Sequence, residues 1–296
     1  MNNTFPEKLE ITVLIAAKNE ALNLPSCLNA LRPVQRVVVL DSNSSDSTAS
    51  LAISHGAEVV QFTYLGGYPK KRQWAIEQLA ITTPWVFLLD ADEVIPSKLW
   101  DEIREVINKN NPADAYMIKK KFHFLGKEMK FGGFSFSAIL LFRNGKARFE
   151  RLIEDSAAGL DMEVHERILV DGTIGKLNNS LIHNDFKGLE AYISRHNYYS
   201  TWEAKVRYRF QCTRKYGQET IKPKFFGNSQ ERRRWLKSII MFLPFEHFFW
   251  FAYHYFFSLG FLEGRRGLIA CQIRAGYIAQ VRAKLYELKL SKQSSN

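Results

Sequence analysis

The 296 residues carry 41 Lys and Arg against 30 Asp and Glu, a formal net charge of +11, and 46% of them are hydrophobic. That length and apolar content suit one large folded domain, or a domain with a C-terminal appendage, and exclude a disordered polyelectrolyte. Cys27, Cys212 and Cys271 match no metal or disulfide spacing, and residues 1–8 lack the apolar core and cleavage site of a secretory signal, so the cytoplasm is the expected compartment.

In chain order, residues 11–17 are an apolar run that stops at Lys18-Asn19-Glu20. Leu22, Leu24, Leu28 and Leu31 follow at helical spacing. Residues 37–40 form a second apolar run, ending in Asp41-Ser42-Asn43-Ser44-Ser45-Asp46-Ser47-Thr48. A helix over 49–55 is predicted next, with Ser45 or Asp46 as N-cap and Gly56 as its stop. Residues 57–62 read as a third strand. Gly66-Gly67-Tyr68-Pro69 then leads into Lys70-Lys71-Arg72 at a helix start. Cations there suit phosphate contact, and a solvated helix start is the plainer alternative.

Trp85-Val86-Phe87-Leu88-Leu89 ends abruptly in Asp90-Ala91-Asp92-Glu93. This is the pattern of a buried central strand that carries Asp-x-Asp to its carboxyl end. Carboxylates so spaced repel one another unless a cation sits among them, and Mg²⁺ or Mn²⁺ prefers oxygen ligands of this kind. Such an ion would hold a diphosphate. A solvated acidic turn is the alternative. Strands alternating with helices imply a parallel sheet with right-handed crossovers, whose ligands sit outside the carboxyl strand ends. Glu20, Asp41, Asp90 and Asp92 would then share one rim.

Residues 115–118, 137–142 and 147–149 read as strands among loops. If Met162-Glu163-Val164-His165-Glu166-Arg167 is a strand, Glu163 and His165 face one way and Glu166 the other. Leu181-Ile182 is an apolar strand ending at His183. Helices are predicted over about 187–216, over 231–259 as one long helix or a broken pair, and from a turn at 263–267 to about 288. Residues 291–296 should fray. Arg143, Arg148, Arg195, His196 and Tyr199 are candidates to line a site for an anionic group, and Trp74, Trp85 and Trp202 are expected in the core.

Residues 205–237 hold eleven Lys and Arg against Glu219 and Glu231. Residues 235–262 are rich in Phe, Tyr and Trp. A basic run before an aromatic segment suits an anionic membrane surface. Pro244, Glu246, His247 and His254 interrupt the segment and argue against a spanning helix. An element lying in the interface is favoured over a buried hairpin covering the sheet. Nucleic acid is not an expected partner, since the acidic rim would repel a phosphate backbone and no recognition motif is visible.

Residues 9–110 resemble family 2 glycosyltransferases of the GT-A fold, on Val13-Leu14-Ile15-Ala16-Ala17-Lys18-Asn19-Glu20, on Val39-Leu40-Asp41-Ser42-Asn43-Ser44-Ser45-Asp46-Ser47-Thr48 and on Leu88-Leu89-Asp90-Ala91-Asp92-Glu93. Val164-His165-Glu166, Leu181-Ile182-His183, His196-Asn197-Tyr198-Tyr199-Ser200 and Gly260-Phe261-Leu262-Glu263-Gly264-Arg265-Arg266-Gly267 are similar to a bacterial branch that includes lipopolysaccharide-core glucosyltransferases. The fold so implied is α/β, a Rossmann-like, mostly parallel sheet flanked by helices, with a C-terminal helical membrane-associating extension. Residues 1–185 would be catalytic (nucleotide half to about 110, acceptor half 111–185), and 186–296 the extension.

The resemblance also implies roles. Asp41 would accept a hydrogen bond from uracil N3–H, with guanine left open as the base. Ala17, Asn19 and Glu20 would frame the same pocket, although Glu20 reads equally as a helix-start acid. Lys71, Arg72, Asp90 and Ala91 would contact the donor. Asp92 would ligate the metal, with Asp90 and His183 completing its shell. An inverting mechanism needs a base, for which Glu166, Glu163 and His165 are the candidates, although this chain departs from the family's usual Glu-Asp there. The expected activity is transfer from a UDP-sugar, with Mn²⁺ or Mg²⁺, to a lipid-linked glycan of lipopolysaccharide core, capsule or exopolysaccharide, at the inner face of the cytoplasmic membrane. Transfer to a polyprenyl phosphate is the alternative enzyme; a non-catalytic nucleic-acid-binding protein is the alternative of another class.

Overall fold

A computed structural model of the chain describes residues 8–152, 161, 163, 166–184, 187–215, 221–227 and 229–293. The chain opens with β1 (Leu9–Ala17), α1 (Leu24–Asn29), β2 (Val34–Asp41), α2 (Thr48–Ser54), β3 (Glu58–Gln61), α3 (Lys71–Gln78) and β4 (Trp85–Asp90). It continues through β5 (Glu93–Val94), α4 (Ser97–Ile107), β6 (Ala115–Phe124), β7 (Lys127–Glu128), β8 (Phe136–Arg143), β9 (Ala147–Phe149), β10 (Ile168–Val170) and β11 (Ile174–His183). Four longer helices follow: α5 (Gly188–Thr213), α6 (Ser229–Ile240), α7 (Glu246–Ala252) and α8 (Gly264–Gln293).

The main sheet runs β3-β2-β1-β4-β8-β6-β11-β5, and β7 pairs with β6. Its first four strands are mutually parallel. From β8 onward the pairing is mixed: β8 is antiparallel to β4 and β6, while β6 and β11 run parallel. The parallel part is where the strand–helix alternation is legible. β1 is buried on both faces because its apolar run is continuous, as a central strand between helix layers requires. On one face, Ile11, Val13 and Ile15 pack with Phe87, Leu89 and the buried stripe Leu99, Trp100, Ile103 and Val106 of α4. On the other, Leu14 packs with Val38, Leu40, Val86 and Leu88.

Register fixes the rim. Ala17 lies opposite Asp41, and Ala16 lies opposite Asp90. The carboxyl ends of β1, β2 and β4 therefore finish level.

Several local expectations change. Leu22 is exposed, and α1 starts only at Leu24. The residue preceding α2 is Ser47, not Ser45 or Asp46. Asp46 instead accepts the N–H groups of Thr48 and Ala21, at 3.0 and 3.1 Å, and so ties the second loop to the first. Gly56, at φ +79°, ends α2 as anticipated. The turn expected at 263–267 is largely the first turn of α8. Gly267 is required there, because a Cβ would collide with the carbonyl oxygen of Gly260.

The C-terminal helices join through buried charge. Arg207 of α5 donates to Glu203 at 3.0 and 2.8 Å and to Glu246 of α7 at 2.7 and 3.1 Å. Tyr277 of α8 donates to Glu203 at 2.7 Å, and Lys237 of α6 lies 2.8 Å from it. Arg234 donates to Glu150, which is wholly buried beside β9, at 2.6 and 2.7 Å and fixes α6 to the sheet.

Between α6 and α8 most aromatics face outward, so the segment is not a fully buried hairpin over the sheet, although Phe251 and Tyr255 pack against the buried cluster of Phe122, Phe124, Met129 and Phe134. Phe245, Phe248, Phe249, Tyr253, Phe256 and Phe261 are exposed, and Phe257 is 81% exposed. Pro244 and the left-handed Phe245 (φ +55°) break the helix, and Tyr253–Phe257 forms a π-helical turn. Among the described residues no helix is long and apolar enough to cross a membrane.

Candidate active site

A cleft of about 1430 Å³ opens at the level rim, between the sheet, α3 and the C-terminal helices. Ala17, Asn19, Glu20, Lys71, Arg72, Asp90, Ala91, Asp92, Glu163, Glu166 and His183 all line it.

At its base three ligand atoms, one each from Asp90, Asp92 and His183, lie within 4.8 Å of one another. The sheet produces this convergence. Asp90 ends β4, and His183 ends β11, pairing with Glu93 of β5. Asn184 donates its N–H to the Asp92 carbonyl at 2.9 Å, closing the turn onto β11. His183 Nδ1 lies 3.6 Å from Asp92 and 3.3 Å from Glu93.

Neighbouring cations make so dense an acidic cluster tolerable. Arg72 pairs with Asp90, and Lys120 Nζ reaches both Asp90 (3.3 Å) and Glu93. Burial works against the Asp90 carboxylate, but Arg72 and Lys120 outweigh it and hold its pKa well below the usual range. Burial likewise opposes a charged His183, yet Glu93 and Asp92 prevail and raise it to about 9. Glu93 is wholly buried, and its carboxylate accepts the Asp90 N–H at 3.0 Å. Asp90 is balanced by Arg72 and Lys120, and Asp92 and His183 complete the cluster. Two carboxylates and an imidazole suit Mn²⁺ or Mg²⁺ and leave positions open for a diphosphate.

The nucleotide side is built from loops after β1 and β2. Asn19, at φ +54°, accepts the Ser45 N–H through its side chain at 2.8 Å. Glu20 is tied to Lys187 at the start of α5, at 2.5 Å. Lys71 is buried; its Nζ donates to the Ala17 carbonyl at 3.2 Å and lies 3.1 Å from Asp161. Asp41 does not line the cleft. It is buried, and its carboxylate accepts the N–H of Ser44 at 3.1 Å and that residue's hydroxyl as well.

Glu163 and Glu166 do not alternate as a strand would. Both are buried, and both face the start of α3. Glu163 accepts the N–H groups of Gln73 (2.9 Å) and Arg72 (3.3 Å), two of that helix's otherwise open donors. Glu166 accepts from Lys70 Nζ at 3.0 Å, and Lys70 also sits 3.8 Å from the Trp202 ring centre. Burial pushes the Glu166 carboxyl up to about 9 and draws Lys70 down to about 8. His165 lies outside the described residues.

Of the residues expected to line a site for an anionic group, Arg195, His196 and Tyr199 line the cleft. Arg143 and Arg148 do not: Arg143 lies over Trp85, and Arg148 pairs with Asp171 at 2.7 Å. Trp85 and Trp202 are buried as expected, and Trp74 is partly buried. Three site residues escaped the sequence reading: Lys120, Asp161 and Lys187. Lys120 left a signal, since Ile118, Phe122 and Phe124 share its side of β6 and are buried. A lysine inside such a stripe needs a carboxylate.

Comparison with known proteins bears on this geometry. The model of the family described as "Glycosyl transferase family 2" matches residues 12–159, half of the chain. The chain is similar to the lipopolysaccharide core biosynthesis glycosyltransferase LpsC of Rhizobium meliloti, 27% identical over 210 residues, covering 67% of this chain and 71% of that protein. It is also similar to an uncharacterized glycosyltransferase of Rickettsia conorii, 28% identical over 216 residues, covering 69% and 72%. Among solved structures it is similar to glucosyl-3-phosphoglycerate synthase from Mycobacterium tuberculosis in complex with Mn²⁺, UDP and glucosyl-3-phosphoglycerate. That match is 23% identical, with a TM-score of 0.31, over 39% of this chain and 44% of that one. The family match takes in β1 to β9, with Asp90 and Asp92 but not β11 and His183: the chain belongs to glycosyl transferase family 2.

Proposed function

We propose that the protein is an inverting, divalent-metal-dependent glycosyltransferase that moves a sugar from a UDP-sugar to a lipid-linked glycan, as in the synthesis of lipopolysaccharide core, capsule or exopolysaccharide. The observation that carries this reading is the convergence of Asp90, Asp92 and His183 at the base of the cleft. Residues 1–185 would supply the chemistry and residues 186–296 would hold the protein at the cytoplasmic face of the membrane.

Asp92 and His183 would hold Mn²⁺ or Mg²⁺, supported by Asp90, which Arg72 and Lys120 fix in place. The bound ion supplies neutralising charge for the departing diphosphate. Ala17, Asn19, Glu20 and Ala91 shape the nucleotide pocket around it. Lys71, set between Ala17 and Asp161, adds positive charge at the start of α3. The acceptor hydroxyl attacks C1 of the donor sugar from the face opposite the diphosphate. The new C1–O bond forms, the bond to the phosphate oxygen breaks, and the hydroxyl proton passes to a carboxylate. Glu166 is assigned that proton: it lines the cleft, and the Lys70 ammonium 3.0 Å away favours the ionised carboxylate that can accept it. Glu163 holds α3 in place.

The exposed aromatics from Phe245 to Phe261, which follow the basic helix α6 in the chain, support docking on an anionic membrane surface. The experiment is UDP release from UDP-glucose and a panel of other UDP-sugars, with Mn²⁺ and washed bacterial membranes. Release that requires membranes and stops with EDTA is the expected result. Equal release with EDTA, or none from any donor, refutes the proposal.

A further inference from the structure

The cleft has a second charged region that the metal cluster does not use. Its lining from residue 187 onward includes seven lysines and arginines and one carboxylate, Glu203. Glu203 is already shared by Arg207, Lys237 and Tyr277. Arg234 is taken by Glu150, and Lys187 by Glu20. Arg195 is engaged as well, which leaves Arg233 and Arg274. Both are exposed, both line the cleft, and neither has an ion-pair partner among the described residues.

Their placement is specific. Arg233 is one turn before Lys237 on α6, and Arg274 is one turn before Tyr277 on α8. Lys237 and Tyr277 both reach Glu203, at 2.8 and 2.7 Å. Residues one helical turn apart share a face, about 5–6 Å apart at Cβ. Arg233 and Arg274 thus stand on two helices whose neighbouring residues Lys237 and Tyr277 meet at one carboxylate that is already satisfied, and both open on the cleft. Tyr192, His196 and Tyr199 line the cleft beside them, with the His196 ring 4.0 Å from Tyr192 and 5.8 Å from Tyr277. Two forked guanidinium groups beside stacked rings suit a phosphate carried on a sugar or lipid.

We infer that Arg233 and Arg274 form a phosphate-recognising subsite for the acceptor, so that the acceptor is a phosphate-bearing molecule. This rests on reading the cleft as the transfer site.

The test is calorimetric titration of the full-length protein with decyl phosphate, glucose 6-phosphate and the neutral control decyl glucoside, after saturation with Mn²⁺ and UDP. The subsite predicts that a phosphate-bearing probe binds and that the double substitution Arg233→Gln, Arg274→Gln weakens it by about tenfold or more. UDP affinity should stay within about twofold, since neither arginine approaches the Asp92 cluster. Preference for decyl phosphate assigns the phosphate to a lipid, and preference for glucose 6-phosphate assigns it to a sugar. Decyl glucoside binding as tightly as decyl phosphate, a variant that binds both phosphates undiminished, or no phosphate binding by protein that holds UDP overturns the inference. Failure to bind Mn²⁺ and UDP at all would instead strike the functional reading beneath it. Both arginines are exposed, so an unchanged melting temperature is expected and separates lost contact from lost fold.

Discussion

His183 Nδ1 stands 3.6 Å from Asp92 Oδ1, although Asp92 lies in the turn after β4, a strand separated from β11 in the sheet by β8 and β6. The short antiparallel pairing of β5 with β11 folds the Asp-x-Asp turn back until it meets the histidine. A cation site therefore depends on the far edge of the sheet as much as on its centre.

Lys120 is the residue whose loss should separate structural from metal-linked roles. Lys120→Met leaves Glu93 buried without its ammonium partner and removes one of the two cations on Asp90. Breaking a buried pair in this way costs about 3–5 kcal/mol. Urea unfolding should show that loss, and saturating Mn²⁺ should restore more stability to the variant than it adds to the wild type. Equal metal effects on both proteins would mean that Lys120 and the ion do not share the same carboxylates.

Glu166→Gln keeps the shape of the side chain and its contact with Lys70 but removes the carboxylate. If Glu166 takes the acceptor proton, kcat should fall by about 10²–10⁴, while UDP affinity in the presence of Mn²⁺ stays within about twofold. Retained kcat would transfer the role to another group of the 163–166 segment.

Glu102 gives a pH-dependent test of the fold. Burial opposes its ionisation, but the N–H groups of Asn178 and Asn179, at 2.7 and 2.8 Å, prevail and hold its pKa below the ordinary value. The folded state therefore binds this proton less readily than the unfolded chain. The stabilisation is complete above the unfolded value of about 4.3 and is lost as pH falls through the folded value. Wild type should exceed Glu102→Gln in unfolding free energy at pH 7, with the gap closing below about pH 4. A gap independent of pH would show that the carboxylate charge is immaterial.

Membrane docking makes its own prediction. Phe248→Ser with Phe257→Ser should reduce partitioning onto vesicles of anionic phospholipid by about tenfold or more, leaving the melting temperature unchanged because both rings are exposed. Added salt should weaken wild-type binding without abolishing it, since screening acts on the basic residues but not on the aromatic ones. Undiminished binding by the variant would move the contact elsewhere.

How far the sequence speaks varies from residue to residue. Residues Asp90 and Asp92 are legible because an apolar strand ends in them, and His183 because it closes another. The parallel half of the sheet is legible from its alternation with helices. The mixed half is not, because β5 and β7 are two residues each and β11 shows no clean period. The direction of Asp41 is hidden as well: Ser44, three residues on, captures its carboxylate in a turn whose geometry the residue types leave open. Lys120 and Lys187 belong to the site only through long-range pairing, with Glu93 and Glu20 respectively, and no local pattern announces those partners. In the C-terminal half the composition shows aromatics and charge but not which face each takes, and Pro244 is a visible break within 231–259.

The measurement that tests the central claim most directly is calorimetric titration of the wild type and Asp92→Ala with Mn²⁺, then with UDP. The wild type is predicted to bind the ion and to bind UDP more tightly once the ion is present. Asp92→Ala is predicted to remain folded, lose the ion and lose the metal-dependent gain for UDP. Wild-type protein that binds neither, or a variant that binds both undiminished, would contradict a cation site built from Asp90, Asp92 and His183.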